Sequence, residues 1–205
     1  MTAPKVAGVW LRVPRDHSPY APKPLAAVAR GDGSVAHLVD AGAAAHLATV
    51  YRHPTRLAVG LDVLALVRDW TLAQVAGAAL GVLGGYADPH GPKNPYLRAE
   101  LLTALRLGLH AAWLPAAVVR PAMLGRYATG HAYGNAYQAA REAFADQLAA
   151  SHAEFILADA PARALWLRAM GLDHLGAPLV ERSARQRAAL REVAWPTPTG
   201  RGEPR

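Results

Sequence analysis

Between Val6 and Val39 the chain carries three short apolar runs, VAGVWLRV, LAAVA and VAHLV, and their spacing limits the fold more than any other feature. The first is rich in β-branched residues and is closed by Pro14, which is the composition of a strand. Pro19, Pro22 and Pro24 keep the next segment extended or looped. The runs Leu25 to Ala29 and Val35 to Val39 flank RGDGS, where Asp32 and Gly33 supply a hairpin turn signal. Asp40 then predicts the cap of a helix over Ala41 to Tyr51, ended by His53 and Pro54. Leu57 to Leu64 is nearly continuous in apolar residues, the pattern of a strand buried on both faces. A helix is predicted from Trp70 to Leu83, closed by Gly84 and Gly85. After the loop YADPHGPKNP comes a helix over Leu97 to Leu109, with Leu97, Leu101, Leu105 and Leu109 on one face. Pro115 breaks it, Ala116 to Val119 forms a last short strand, and Gln138 to Ser151 and Ala162 to Leu172 are helices.

This order predicts an α/β protein whose mixed sheet is antiparallel at one side and parallel at the other, with helices on both faces. A ribonuclease-H-like fold has that order. With 205 residues there is room for one well-buried core, so a single domain over 1–196 and a flexible basic tail over 197–205 are expected. The absence of cysteine excludes disulfides, thiolate metal sites and cysteine nucleophiles. The longest apolar stretch, Val75 to Ala87, falls short of the ~18 residues of a membrane span, and Val6 to Leu11 is too short for a secretory signal. A cytoplasmic protein without membrane contact is expected. Twenty-two Lys and Arg against 15 Asp and Glu give a net charge of +7, which favours a polyanionic partner, because each phosphate neutralised releases counterions.

Three C-terminal segments carry a family resemblance. PAMLGRYATGHAYGNA (Pro121 to Ala136), ARALWLRAMGLDHLGAPLV (Ala162 to Val180) and RQRAALREVAWP (Arg185 to Pro196) resemble the corresponding segments of RuvC-type Holliday-junction resolvases, above all the forms carried by actinobacteria and their phages. The resemblance implies a ribonuclease-H-like fold, a dimer, a junction-DNA substrate and two Mg²⁺ ions. It also implies four carboxylates to hold those ions: one on the first strand, one at the end of the fourth, and two opening the last helix. Hard cations need such anionic oxygen ligands.

Position by position, one acid of the four survives. The first-strand position falls on Trp10, which cannot bind a hard cation. In RLAVGLDVL the fourth-strand position falls on Asp62. At the last helix the two positions fall on Ala160 and Arg163, with Asp159 one residue ahead and expected to serve as a helix cap or N-terminal charge, Pro161 sitting in the first turn. Asp62 and Asp159 remain the weak metal candidates. They offer −2 where two metals bring +4, and repulsion between Arg163 and Mg²⁺ at ~4 Å amounts to several kcal/mol even at an effective dielectric near 20. No catalytic residue and no cofactor is therefore expected, with Mg²⁺ relevant only to residual nuclease activity.

The basic segment has drifted as well, its lysine pair becoming Gly125-Arg126. Arg126, His131 and Arg163 are the candidate DNA contacts. Glu142 and Asp146, at i and i+4, are expected on one solvated helix face. Trp70, Trp113, Trp166 and Trp195 are expected in a core or interface, and His174 in a structural place. The resulting expectation is a non-cleaving pseudo-resolvase that binds branched or duplex DNA. The alternatives are a structural, dimerising interaction protein on the same fold, its Ala/Gly-rich helix Trp70 to Leu83 supporting close packing, and a residual metal-dependent junction endonuclease. A homodimer, or a dimer with an active paralogue, belongs to the same set of expectations.

Overall fold

The computed structural model describes residues 4–12, 25–40, 42–43, 45, 61–85, 95–151 and 159–197. Five strands form one sheet in the order β3-β2-β1-β4-β5: β1 (Val6–Leu11), β2 (Ala26–Ala29), β3 (Val35–Leu38), β4 (Leu80–Gly85) and β5 (Ala116–Val119). β1 pairs antiparallel with β2 and parallel with β4; β2 pairs antiparallel with β3, and β4 parallel with β5. The hairpin between β2 and β3 turns where the sequence predicts, with Gly33 at φ +93° and Asp32 accepting from the Ser34 backbone N–H at 2.9 Å and the Ser34 hydroxyl at 2.7 Å. Those two bonds hold the Asp32 carboxyl below its ordinary pKa.

Strand alternation sends Val6, Gly8 and Trp10 to one face of the sheet and Ala7, Val9 and Leu11 to the other. On the second face lie α1 (Leu61–Val75) and α2 (Pro95–Ala111), which bury Val67, Val75, Leu101, Leu105 and Leu109. On the first lie α3 (Pro121–Thr129), α4 (Ala136–Ala143), α5 (Ala145–Ala150) and α6 (Asp159–His174). A short helix α7 (Ala184–Arg187) and a 3-10 turn (Ala188–Glu192) close over α3. The mixed sheet with helices on both faces is the ribonuclease-H-like arrangement the sequence predicts.

Two predicted elements are corrected. Leu61 to Leu64, the described part of the expected strand Leu57 to Leu64, is the start of α1; residues 57–60 lie outside the described residues. The expected helix Trp70 to Leu83 is instead the last turns of α1, a turn at Gly77 (φ +76°) and most of β4. An apolar run cannot tell a buried strand from a buried helix by periodicity alone, and here Gly77, able to take the left-handed conformation, ends the helix. The Asp40 cap is in place, its carboxylate accepting from the Ala43 N–H at 2.7 Å, though most of the helix predicted to follow, like the tail over 198–205, lies outside the described residues. The predicted helix Gln138 to Ser151 breaks at Phe144 into α4 and α5.

α6 runs antiparallel to β1 at a distance that only glycine permits. A Cβ on Gly8 would stand 2.1 Å from the Ala164 carbonyl oxygen and 2.5 Å from the Arg168 nitrogen, and one on Gly171 would stand 2.6 Å from Val6 Cγ1. With sheet on one side and α3, α4 and the C-terminal turns on the other, Pro161, Ala162 and every residue from Ala164 to Leu172 are buried. Among them Trp166 donates its indole N–H to the Ala136 carbonyl at 2.9 Å and meets Phe144 and Tyr127 edge-on, the geometry aromatic quadrupoles favour. Among the described residues no helix is long and apolar enough to cross a membrane.

Candidate nucleic-acid interface

The parallel strands β1, β4 and β5 end at one edge of the sheet, where open α/β sheets ordinarily receive ligands. α6 begins over this edge. Trp10, 1% exposed near the end of β1, lies beside Gly84 of β4 in the parallel register. The indole occupies the space a side chain at 84 would need, since a Cβ there would be 2.8 Å from Trp10 Cε3 and 2.9 Å from Leu167 Cδ1. Trp10 and Gly84 are thus one solution: a large ring on one strand and no side chain on the next.

The Arg163 guanidinium lies over the Trp10 ring, 4.8 Å from its centroid, a cation–π contact of about 1–2 kcal/mol. Its Nε donates to both carboxylate oxygens of Asp159, one turn earlier, at 2.9 and 3.1 Å. Of the two expected roles, cap or N-terminal charge, Asp159 takes the second: it sits in the first turn of α6 and grips Arg163. Favourable acid near a helix start and an i, i+4 pair coincide there.

The fourth-strand assignment of Asp62 is overturned. Asp62 is exposed in the first turn of α1, on the sheet face opposite Trp10, and the end of β4 is Gly84-Gly85. The four positions that the resemblance implies then fall on Trp10, a glycine, Ala160 and Arg163, and Ala160 is buried. Among the described residues no three His, Asp or Glu side chains converge in a way that could hold a metal ion. The described residues of this edge do not fit a pair of Mg²⁺ ions: an indole fills the space beside Gly84, and the carboxylate of Asp159 is engaged by Arg163.

What the edge does collect is arginine. Arg12 follows the last residue of β1, Arg120 follows the last residue of β5 and is exposed, and Arg163 opens α6. Arg12 and Arg120 were not singled out from the sequence. The signal for them was position alone, each being the first residue after a strand, and it becomes readable only once both strands are known to be parallel neighbours of β4.

The other two candidate DNA contacts lie apart from this edge. α3 starts at the edge and carries its C-terminal end about 13 Å away along its axis; His131 is exposed just beyond that end. Arg126, one turn short of it, is bonded to Glu192 at 2.9 Å. The structure brings neither beside Arg163. Glu142 and Asp146, expected on a single helix face, belong to α4 and α5 respectively. Trp166 is in the core as expected, but Trp113 is 90% exposed, in a left-handed turn at φ +56° after α2. His174 stacks flat on Trp195, 4.2 Å between centroids and 7° between planes, and desolvation there lowers its pKa.

No protein-family model and no curated protein matches the sequence. Among solved structures the chain is similar to RuvC from Thermus thermophilus, with 15% identity and a TM-score of 0.43, over 84% of this chain and 96% of that one. It is similar also to T. thermophilus RuvC in complex with a Holliday junction substrate, with 13% identity and a TM-score of 0.44 over the same shares. The class of fold rests on the sheet order and helix placement described above.

Proposed function

We propose that the protein binds nucleic acid without cleaving it, receiving the phosphate backbone on the arginine-lined carboxyl edge of its sheet. The observation that carries this reading is the pairing of Trp10 with Gly84 beneath Arg163. The space that two metal ions and their carboxylates would need is occupied by a ring, and a guanidinium lies on that ring. A guanidinium fork meets phosphate through two parallel hydrogen bonds without any metal. Arg12 and Arg120 extend the positive edge along two further elements, and the net charge of +7 supplies the long-range attraction. The resemblance of the C-terminal segments to junction resolvases makes branched DNA the first substrate to try.

Gel shifts with a four-way junction, a fork and a linear duplex, with and without Mg²⁺, test the reading. Binding is expected without Mg²⁺ and without cleavage, with an affinity that falls steeply as salt rises. Arg163→Glu combined with Arg120→Glu is expected to weaken binding at least about tenfold, at ~1.4 kcal/mol per tenfold. Mg²⁺-dependent strand cleavage abolished by Asp159→Asn would overturn the non-cleaving half. Binding unaffected by the double substitution would overturn the interface.

A specific observation favours a second reading, an interaction protein. Leu107 is 64% exposed on α2, and Trp113, 90% exposed, stands beyond its end, so apolar surface is presented at this end of the α1/α2 side. Sedimentation of the purified chain, with Leu107→Lys as control, tests for self-association there.

A further inference from the structure

Away from the sheet edge, a cleft of about 570 Å³ lies between the end of α3, the exposed side of α4 and the segment that leads into α7. Its polar wall is Thr129, Asn135, Gln138, Glu142, Arg182 and Gln186; small apolar side chains from α3 and α4, with Val180, make the rest. That volume falls within the range of small-molecule sites.

Arg182 distinguishes the cleft from an ordinary groove. Its guanidinium is stacked on Trp166, 4.4 Å from the ring, with Tyr127 at 6.0 Å. Trp166 is fully buried and fixed by its own hydrogen bond, so the platform cannot shift. Of the five N–H donors of a guanidinium, one is spent, Nη1 donating to the Ala128 carbonyl at 3.0 Å. Nε is buried with no partner. Among the described residues no carboxylate pairs with Arg182. Asp173, near enough to favour its charge, accepts from the Tyr127 hydroxyl at 3.0 Å and lies 3.4 Å from Arg187. A half-buried cation with most donors unspent is costly to keep, and burial lowers its pKa. An anion entering the cleft would offset that cost.

We infer that this cleft is a binding site for a small organic anion, its carboxylate or phosphate group received by Arg182 and its apolar body lying against the alanines of α3 and α4. Glu142, which also lines the cleft, repels a second negative group, so the occupant carries a single negative group. Gln138, whose amide nitrogen makes only a 3.5 Å contact with Glu142, is placed to donate to it.

Calorimetric titration of the full chain at fixed ionic strength, with benzoate in one arm and inorganic phosphate in the other, tests the inference. Saturable one-to-one binding of benzoate is expected, with inorganic phosphate weaker because it lacks an apolar body. Arg182→Gln is expected to weaken binding at least about tenfold. Because Arg182 also braces Tyr127 and Trp166, that variant can fail to fold. Gln138→Trp, which fills the cleft from an exposed position and leaves Arg182 in place, is expected to weaken binding to the same degree and serves as the second test. Phosphate binding more tightly than benzoate, if lost in both variants, assigns the site to phosphate compounds and supports it equally. Absence of saturable binding by either probe, or binding that survives Gln138→Trp, would overturn the inference. The Arg163→Glu, Arg120→Glu protein is expected to bind benzoate unchanged, which separates this site from the sheet edge.

Discussion

The two faces of the sheet are packed by different means. On the α6 face close approach is the rule: Gly8 meets the backbone of α6, Gly84 the side chains of Trp10 and Leu167, and Gly171 those of Val6 and Val82, while the aromatic rings of Trp10, Tyr127, Phe144 and Trp166 fill what remains. On the α1/α2 face, leucine and valine side chains make the contact with the sheet, Gly108 of α2 gives way to Leu72 of α1, and Leu107 and Trp113 are left exposed. At Gly8 the first face is set by backbone atoms that cannot move; the second is set by side chains that can repack. The difference teaches how the carboxyl edge can hold its scaffold whatever residues open α6. Helix α6 is held to β1 by close approach along its length, and its first turn can change residues without loosening the rest.

The comparison breaks most readily at Gly8. Adding one methyl there, Gly8→Ala, places a carbon 2.1 Å from a carbonyl oxygen of α6. The neighbour is backbone, so relief requires moving the helix. An expected loss above about 4 kcal/mol puts the variant in the exceptional class for a single substitution, read as insolubility or a collapsed urea midpoint. A loss under about 1 kcal/mol would mean that α6 does not dock on β1 as described.

On the other face the matching test removes atoms. Leu105 is 1% exposed among Leu101, Leu109 and Val67. Leu105→Ala is expected to cost about 3 kcal/mol, within the range for truncating a buried leucine, and to leave the chain folded. Urea unfolding with an unchanged slope checks it. The contrast is sharp because deleting three carbons here should cost less than adding one at Gly8.

How much of this was legible follows from the same difference. The hairpin was readable because Asp32 and Gly33 act locally, and so was the leucine face of α2, where spacing alone marks the buried stripe. β4 was not. Its LGVLGG reads as a helix end because glycine is a helix stop in isolation, whereas here Gly84 is glycine on account of Trp10, more than seventy residues earlier. A constraint that acts across the sheet leaves no local signature, and the misplaced strand carried Asp62 with it onto the wrong element. At the site itself, Trp10 and Arg163 were named from the sequence, but their contact was not. Nor was the grip of Asp159 on Arg163, because a cap and an i, i+4 pair differ by a single position. Arg182 gave no signal at all, since its importance comes from Trp166 beneath it.

The α2 face also contains strain that, among the described residues, the α6 face does not. Trp113 holds a left-handed conformation, at φ +56°, with its side chain 90% exposed, so little packing compensates for the backbone. Trp113→Gly is expected to stabilise the protein by about 0.5–1 kcal/mol, the relief of the left-handed penalty outweighing the added freedom of the unfolded chain. Loss of stability instead would show that the indole is covered in solution, which would favour the interaction reading.

The smallest expected effect belongs to the seam that closes the α6 face. His174, in the last turn of α6, stacks on Trp195, and desolvation holds its pKa below the ordinary 6.5. The unfolded chain therefore takes up this proton before the folded one. The contribution of the neutral ring is fully present above pH 6.5 and is lost as pH falls through the depressed folded value. His174→Phe keeps a flat ring against Trp195 but cannot be protonated. The variant and the parent are expected to melt alike at pH 7.5, and the parent alone to lose ground between pH 6.5 and 5, apart from the slope both share from other groups. Equal slopes would mean that the stack does not discriminate between the two protonation states, and that the C-terminal turns are held chiefly by the Arg126–Glu192 ion pair and the hydrogen bond from Arg182 to the end of α3.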